Sequence, residues 1–310
     1  MSQVLNLEIT SKGIGLSSVF VEVETDKHLN LKNSNCLRLF HLDIANNHFS
    51  LSGLHQFLRR NIGRYVFSRA TIEKFKLDGD EDAIGTYALD LLRTAENPTD
   101  SGAGGELGEI LLYIFLEQKL NAPKLLSKVE LKTTNNQYVF GSDGVHLLMI
   151  DGSKTPMFQL VLGESKIKGK LVEAVNDAFG SISKVVANPD NEIRLIEKNI
   201  LAESFDDETT EFIKSLIVPT KRARSITVDN AFGIFLGYTL DIDHSAYSNS
   251  DYREIATKKM GEDIQAIATH IEKKINASGL SGYSFYFFLV PFDDAPTDRA
   301  DIMKKLQRGL

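Results

Sequence analysis

A single cysteine, Cys36, is all the thiol in this chain, so no intramolecular disulfide can form and a zinc site of paired thiolates is excluded. A reducing cytoplasm is the expected setting. The opening residues MSQVLNLEITSKG lack the basic start and apolar run of a secretion signal. No stretch approaches the roughly 18 apolar residues of a membrane span, so neither export nor insertion is expected. Positive charge is also short: 35 Lys and Arg stand against 42 Asp and Glu, and the net charge of -7 repels a phosphate backbone. Any hold on nucleic acid must come from a local basic surface or from a partner. A phosphate loop of the Walker type is missing as well. GAGGELGE, at 102–109, bears glycines but has no lysine after it and no strand before it. The seven histidines show no metal-ligand spacing and read as structural; His146 alternates away from the acidic residues described below.

What is present is enough for a folded protein. With 310 residues, 42% hydrophobic and 25% charged, the chain can bury a sizeable core in one large domain or two modest ones. Residues 3–10, 16–24 and 36–44 are short, β-branched and partly alternating, which predicts three strands. Apolar residues at three- and four-residue spacing predict successive helices over 50–95. Residues 96–105, ENPTDSGAGG, concentrate turn-forming residues and mark the expected boundary. An α+β docking or regulatory unit is thus expected over 1–100, and a second domain over 101–310.

In that second part the pattern predicts a helix in GELGEILLYIFLEQKL, strands in VELKTT, YVFGSDGVHLLMI and MFQLVLGESK, and a helix in LVEAVNDAFGSISKVVA. Helices are expected over 192–205 and in DETTEFIKSLIV, then strands in FGIFLGYTLDI and YSFYFFLVPF on either side of a long amphipathic helix. A short helix ends the chain. Alternating strands and helices make this an α/β domain with a mixed central sheet flanked by helices.

Within that sheet, the turn IDGSKTP closes a hairpin in which Asp151-Gly152 is a strong turn signal. If Ile150 faces Met157, antiparallel counting puts Asp143 opposite Glu164. Like charges so paired repel unless a cation lies between them. Alternation sets Glu164 and Lys166 on one face and leaves the Ser165 carbonyl available as a ligand. The neighbours Phe158, Leu160 and Leu162 predict that this face is buried, where charges are costly. Hard cations such as Mg²⁺, with Mn²⁺ as a substitute, take oxygen ligands from one or two carboxylates. Such an ion supplies what phosphodiester hydrolysis needs, an activated water and charge for the phosphate, while Lys166 keeps its proton and stabilises the transition state. Glu106 and Glu109, at i,i+3 near the start of their helix, share one face, so either has the reach to complete the metal shell. Charge complementarity at a helix N-terminus is the other role open to both.

This order of elements over residues 105–190, with Asp143 and Glu164-Ser165-Lys166 on successive strands, resembles the PD-(D/E)XK or restriction-endonuclease-like superfamily. The usual Pro before the Asp is Ser142 here. More narrowly, GELGEILLYIFLEQKL, GSDGVHLL, LGESKIKGKL and FFLVPF resemble the nuclease subunits of Hachiman anti-phage defence systems. The resemblance implies a nuclease that attacks DNA, a helicase partner, and site positions at Glu106, Glu109, Asp143, Glu164 and Lys166. The alternative is an interaction module that keeps the fold without cutting; RNA as substrate is a third possibility.

Between 124 and 170 there are seven lysines (124, 128, 132, 154, 166, 168 and 170) against four acids, a local excess that suits a phosphate backbone. Lys168 and Lys170 are the expected contacts. KRAR at 221–224 and Arg59, Arg60 and Arg64 are weaker candidates.

Overall fold

The computed structural model describes residues 7–11, 15–25, 27–95, 105–133, 141–150, 157–187, 207–217 and 226–308. The expected boundary at 96–104, the turn at 151–156, the helix at 192–205 and KRAR at 221–224 fall outside these.

Six strands form one mixed sheet in the order β1-β2-β8-β7-β6-β5. They are β1 (Phe20–Val23), β2 (Asn35–Leu42), β5 (Gly144–Ile150), β6 (Met157–Ile167), β7 (Thr227–Thr239) and β8 (Ser284–Phe292). A small hairpin pairs β3 (Ile44–Ala45) with β4 (His48–Phe49). Its two-residue turn, Asn46-Asn47, has φ of 52° and 60°, the left-handed pair that a type I′ turn needs and Asn tolerates. β6, β7, β8 and β2 run parallel, and β1 and β5 close the two edges antiparallel. Strands covered on both faces read as continuous apolar runs, which is why SFYFFLVPF is buried throughout.

The first hundred residues therefore share this sheet rather than build one of their own: β2 hydrogen-bonds to β8, some 250 residues later in the chain. They also supply α1 (Leu51–Val66), α2 (Arg69–Asp78) and α3 (Ile84–Ala95). No strand forms in the described part of the first expected one, residues 7–10.

α4 (Gly105–Leu120) is apolar around its whole circumference, with Leu107 and every residue from Ile110 to Leu116 buried, and it lies across β6 and β7. Gly108 and Gly163 let it approach closely. A Cβ on Gly108 would sit 2.9 Å from Ser165 Oγ, and one on Gly163 2.9 Å from Leu112. α6 (Leu171–Ala187) covers the same strands from the opposite face, followed by α7 (Asp207–Ile217), α8 (Asn249–Ala277) and α9 (Ala295–Arg308). Gly108→Ala is expected to push α4 off β6 and cost about 2 kcal/mol. Urea unfolding checks this; unchanged stability would mean the helix has room to move.

One element differs in kind from its expected form. Residues 129–133 of VELKTT, VELKT, lie in a helix, α5 (Lys128–Thr133), although their β-branched composition predicts a strand. Glu130 accepts hydrogen bonds from the Ser68 backbone N–H and the Thr71 hydroxyl at the start of α2, a long-range contact that overrides local preference. Among the described residues, the place a third strand would take beside β5 holds the single bridge Lys124–His146. Pro123, which has no N–H to give, occupies that segment.

Candidate active site

Ile150 faces Met157 and Gly144 faces Gly163, so the counted register holds as far as Gly144, the residue after Asp143. Asp143 then departs from it by one residue: its backbone N–H donates to Gly163 O at 2.8 Å, one short of the counted partner Glu164. There β5 has ended while β6 runs on, and the Asp143 side chain takes over the edge. Its Oδ2 accepts from the Ser165 backbone N–H and from Ser165 Oγ, each at 2.8 Å. The N–H and C=O of one extended residue leave by the same strand edge. The Ser165 carbonyl therefore points past the end of β5, beside Asp143.

The other oxygen of Asp143 accepts from Lys128 Nζ at 3.0 Å, and the same ammonium reaches Glu109 Oε1 at 3.5 Å. Tyr65, from α1, donates to Glu109 Oε2 at 3.0 Å. Burial, then the charges of Glu109, Glu106 and Asp143, keep the Tyr65 phenol protonated well above its ordinary range, so all three acids lie within electrostatic reach of one hydroxyl. Burial alone would raise Asp143, but Lys128, Ser165 and Lys166 outweigh it and hold the carboxyl below its usual value. Burial would likewise discharge Lys128. Glu109 and Asp143 reverse that and hold its ammonium above the ordinary range.

Glu164 takes the opposite course. It leaves the other face of β6, where Ser181 of α6 hydrogen-bonds to it, and is only 3% exposed. Lys166 Nζ forms an ion pair with its Oε1. Burial first, and the charge of Asp143 second, still push the carboxyl up to about 7. The two acids thus lie on different faces of β6 and interact through their fields, each with its own lysine.

That shift has a definite sign. Between its ordinary 4.5 and about 7 the folded chain holds a proton on Glu164 that the unfolded chain releases. The stabilisation is complete at the acid end and is lost as pH rises through about 7. Glu164→Gln cannot ionise. From pH 5 to pH 8 its stability should gain on the parent chain by on the order of 2 kcal/mol. Denaturant unfolding at both pH values measures this, and parallel pH profiles would contradict the shift.

Several sequence expectations are revised by the coordinates. Lys128 belongs to this internal cluster instead of a basic surface. Lys124 is buried, its ammonium capping the end of α1 through the carbonyls of Arg64, Tyr65 and Phe67. Lys168 is partly exposed and paired with Asp177 at 2.7 Å, and Lys170 is exposed and 4.0 Å from Glu173. Arg59, Arg60 and Arg64 line one cleft of about 270 Å³, shared with Glu81 and Asp82. His146 is buried and its ring bonds to Ala122 O at 2.7 Å, in keeping with a structural role. The histidines as a set are less scattered than their spacing suggests. His48, His244 and Asp293 form the only group of three or more His, Cys, Asp or Glu, among the described residues, whose ligand atoms lie within 4.8 Å. The acids around Asp143 do not close to that spacing. Sequence reasoning missed Lys128 and Tyr65 as members of the site; no motif marks either one.

A family model for HamA matches residues 18–306, which spans the N-terminal strands, every residue of the acidic cluster and most of the final helix. The chain belongs to the HamA family. Membership gives this HamA-family chain a role in Hachiman anti-phage defence, a system that works with partners. A comparison with curated proteins finds no match. Among the described residues no helix is long and apolar enough to cross a membrane.

Proposed function

We propose that this HamA-family chain is the DNA-cutting subunit of its defence system, hydrolysing phosphodiesters at Asp143, Glu164 and Lys166. The observation that carries the reading is Glu164: a carboxyl 3% exposed, pushed up by burial and by Asp143, with a lysine on one oxygen. Folded proteins keep such costly arrangements mainly at functional sites.

The donor set suits a hard cation, since it offers carboxylate and carbonyl oxygens and a local surplus of negative charge. Asp143 and the Ser165 carbonyl would hold Mg²⁺ or Mn²⁺ together with Glu164 once its side chain turns toward Asp143, with Glu106 or Glu109 completing the shell. Such an ion supplies an activated water and positive charge at the phosphate. The chain's residues do the rest. Ser165 fixes the Asp143 carboxylate through two hydrogen bonds. Lys166 donates toward the phosphate as its charge grows, and Glu164 gives up its proton to serve as a ligand. Lys168 and Lys170, beyond the end of β6, contact the DNA backbone.

A net charge of -7 disfavours DNA capture by the chain alone, so a helicase of the same system delivers the substrate. Docking through the first hundred residues accounts for the large apolar side chains left in water there: Val21, Leu77, which is 85% exposed, and Tyr87. A second reading has one observation in its favour. The shared Lys128 ammonium already balances Glu109 and Asp143, as in a structural ion-pair network that would keep the fold without cutting.

The test incubates the chain with its partner and Mg²⁺ on DNA and, in parallel, on RNA. Metal-dependent DNA strand breaks support the first reading. Intact DNA with every partner and metal combination would leave the second.

A further inference from the structure

We propose that His48, His244 and Asp293 form a separate metal centre, selective for a borderline divalent transition ion such as Zn²⁺. The three residues come from three points in the chain that the sheet brings together. β2, β8 and β7 are parallel neighbours, so their carboxyl ends release their following segments on one edge. His48 stands in the β3–β4 hairpin just after β2, His244 in the segment after β7, and Asp293 directly after β8. In open sheets of this type ligands gather at that edge.

The ligand atoms lie within 4.8 Å of one another. His48 Nδ1 is 3.1 Å from Asp293 Oδ2. Two ligands of one tetrahedral zinc, each about 2.0 Å from it, lie roughly 3.3 Å apart. The His48–Asp293 pair is already at the spacing of a shared ion, and the stacked His48 and His244 rings must turn to bring the second nitrogen into line with it. His244 Nδ1 is 2.6 Å from the Asn47 carbonyl oxygen. A carbonyl only accepts, so this nitrogen carries the proton and presents Nε2 as the donor atom, the orientation that ligating histidines usually receive from a backbone partner.

Other contacts hold the ligands in place. Asn47, in the left-handed conformation, donates its side-chain amide to His244 O at 2.8 Å and Tyr247 O at 2.9 Å. The Asp293 carboxylate accepts from the Phe49 N–H at 3.1 Å and 3.3 Å. The His48 and His244 rings stack at 4.2 Å, and Tyr252 stacks on His244 from α8.

Two imidazoles and one carboxylate make a mixed nitrogen and oxygen set, which favours Zn²⁺, Fe²⁺ or Co²⁺ over Mg²⁺. The acids around Asp143 offer oxygen alone, so the two clusters select different ions. Three protein ligands leave a fourth position, and His48, with 57% of its side chain exposed, opens that position to water. The ion would tie the β3–β4 hairpin and the segment after β7 to the end of β8.

The full chain is stripped with a chelator, dialysed and titrated with Zn²⁺ by calorimetry, and with Co²⁺ by visible absorption. One tight Zn²⁺ per chain is expected, with the absorption of tetrahedral cobalt and a Zn²⁺-dependent rise in Tm. His244→Ala should weaken binding at least 100-fold and abolish both signatures. Asp293→Asn, which keeps an acceptor for the Phe49 N–H, is the second variant in case the first fails to fold. Glu164→Gln should leave Zn²⁺ binding unchanged. The proposal is overturned if the parent chain binds Zn²⁺ no more tightly than Asp293→Asn, or if Glu164→Gln rather than the triad variants removes the binding.

Discussion

Lys166→Ala should lower the rate of DNA cleavage by the chain and its partner at least 100-fold, and Glu164→Gln should do the same, while both proteins remain folded. The size follows from what each group contributes. A preorganised positive charge facing a developing phosphate charge, or a positioned proton donor, is worth roughly 10²- to 10⁴-fold. Lys166 already rests on Glu164, so its removal also leaves that carboxyl without its ion-pair partner. The double variant should then be scarcely worse than either single one, because residues that act as a unit are not additive. Gel-based cleavage with supercoiled and linear DNA reads the rates. Parent-like cleavage by Lys166→Ala would remove the site from these residues altogether.

The second large effect is on stability. Lys128→Met should destabilise the chain by about 3 kcal/mol, the usual order for removing one partner of a buried ion pair and stranding the other charge. Here two carboxylates, Glu109 and Asp143, lose the ammonium they share, and the lysine side chain is only 15% exposed. Adding Asp143→Asn to Lys128→Met should recover part of the loss, since the stranded charge is then gone. A neutral Lys128→Met, measured by urea unfolding at pH 7, would show that water already reaches these groups.

How far the site is legible in the sequence depends on distance along the chain. The hairpin register follows from counting outward from Ile150 and Met157, because antiparallel pairing is a local rule once the turn is found. Burial of the Glu164 face follows from Phe158, Leu160 and Leu162, all of which are buried. GELGEILLYIFLEQKL reads as helix, and its apolar circumference explains its central place. What local patterns cannot carry is a contact between distant segments. Glu130 holds VELKT in a helix by capping α2 from some sixty residues away. Lys128 reads as one more surface lysine until α5 turns it onto Glu109 and Asp143. His48, His244 and Asp293 show no spacing because three separate strands deliver them, and only the sheet order makes them neighbours.

That sheet order also governs when the molecule can exist at all. The strand in contact with both β2 and β7 is β8, which leaves the ribosome after every other strand. Until residues 284–292 emerge, β1 and β2 have no neighbour to join them to β7, β6 and β5. Pairings this distant in sequence form slowly. A chain halted before them would carry two open half-sheets, sticky at their edges, in place of a finished protein. Emergence of β8 is therefore a physical condition on joining the two halves of the sheet.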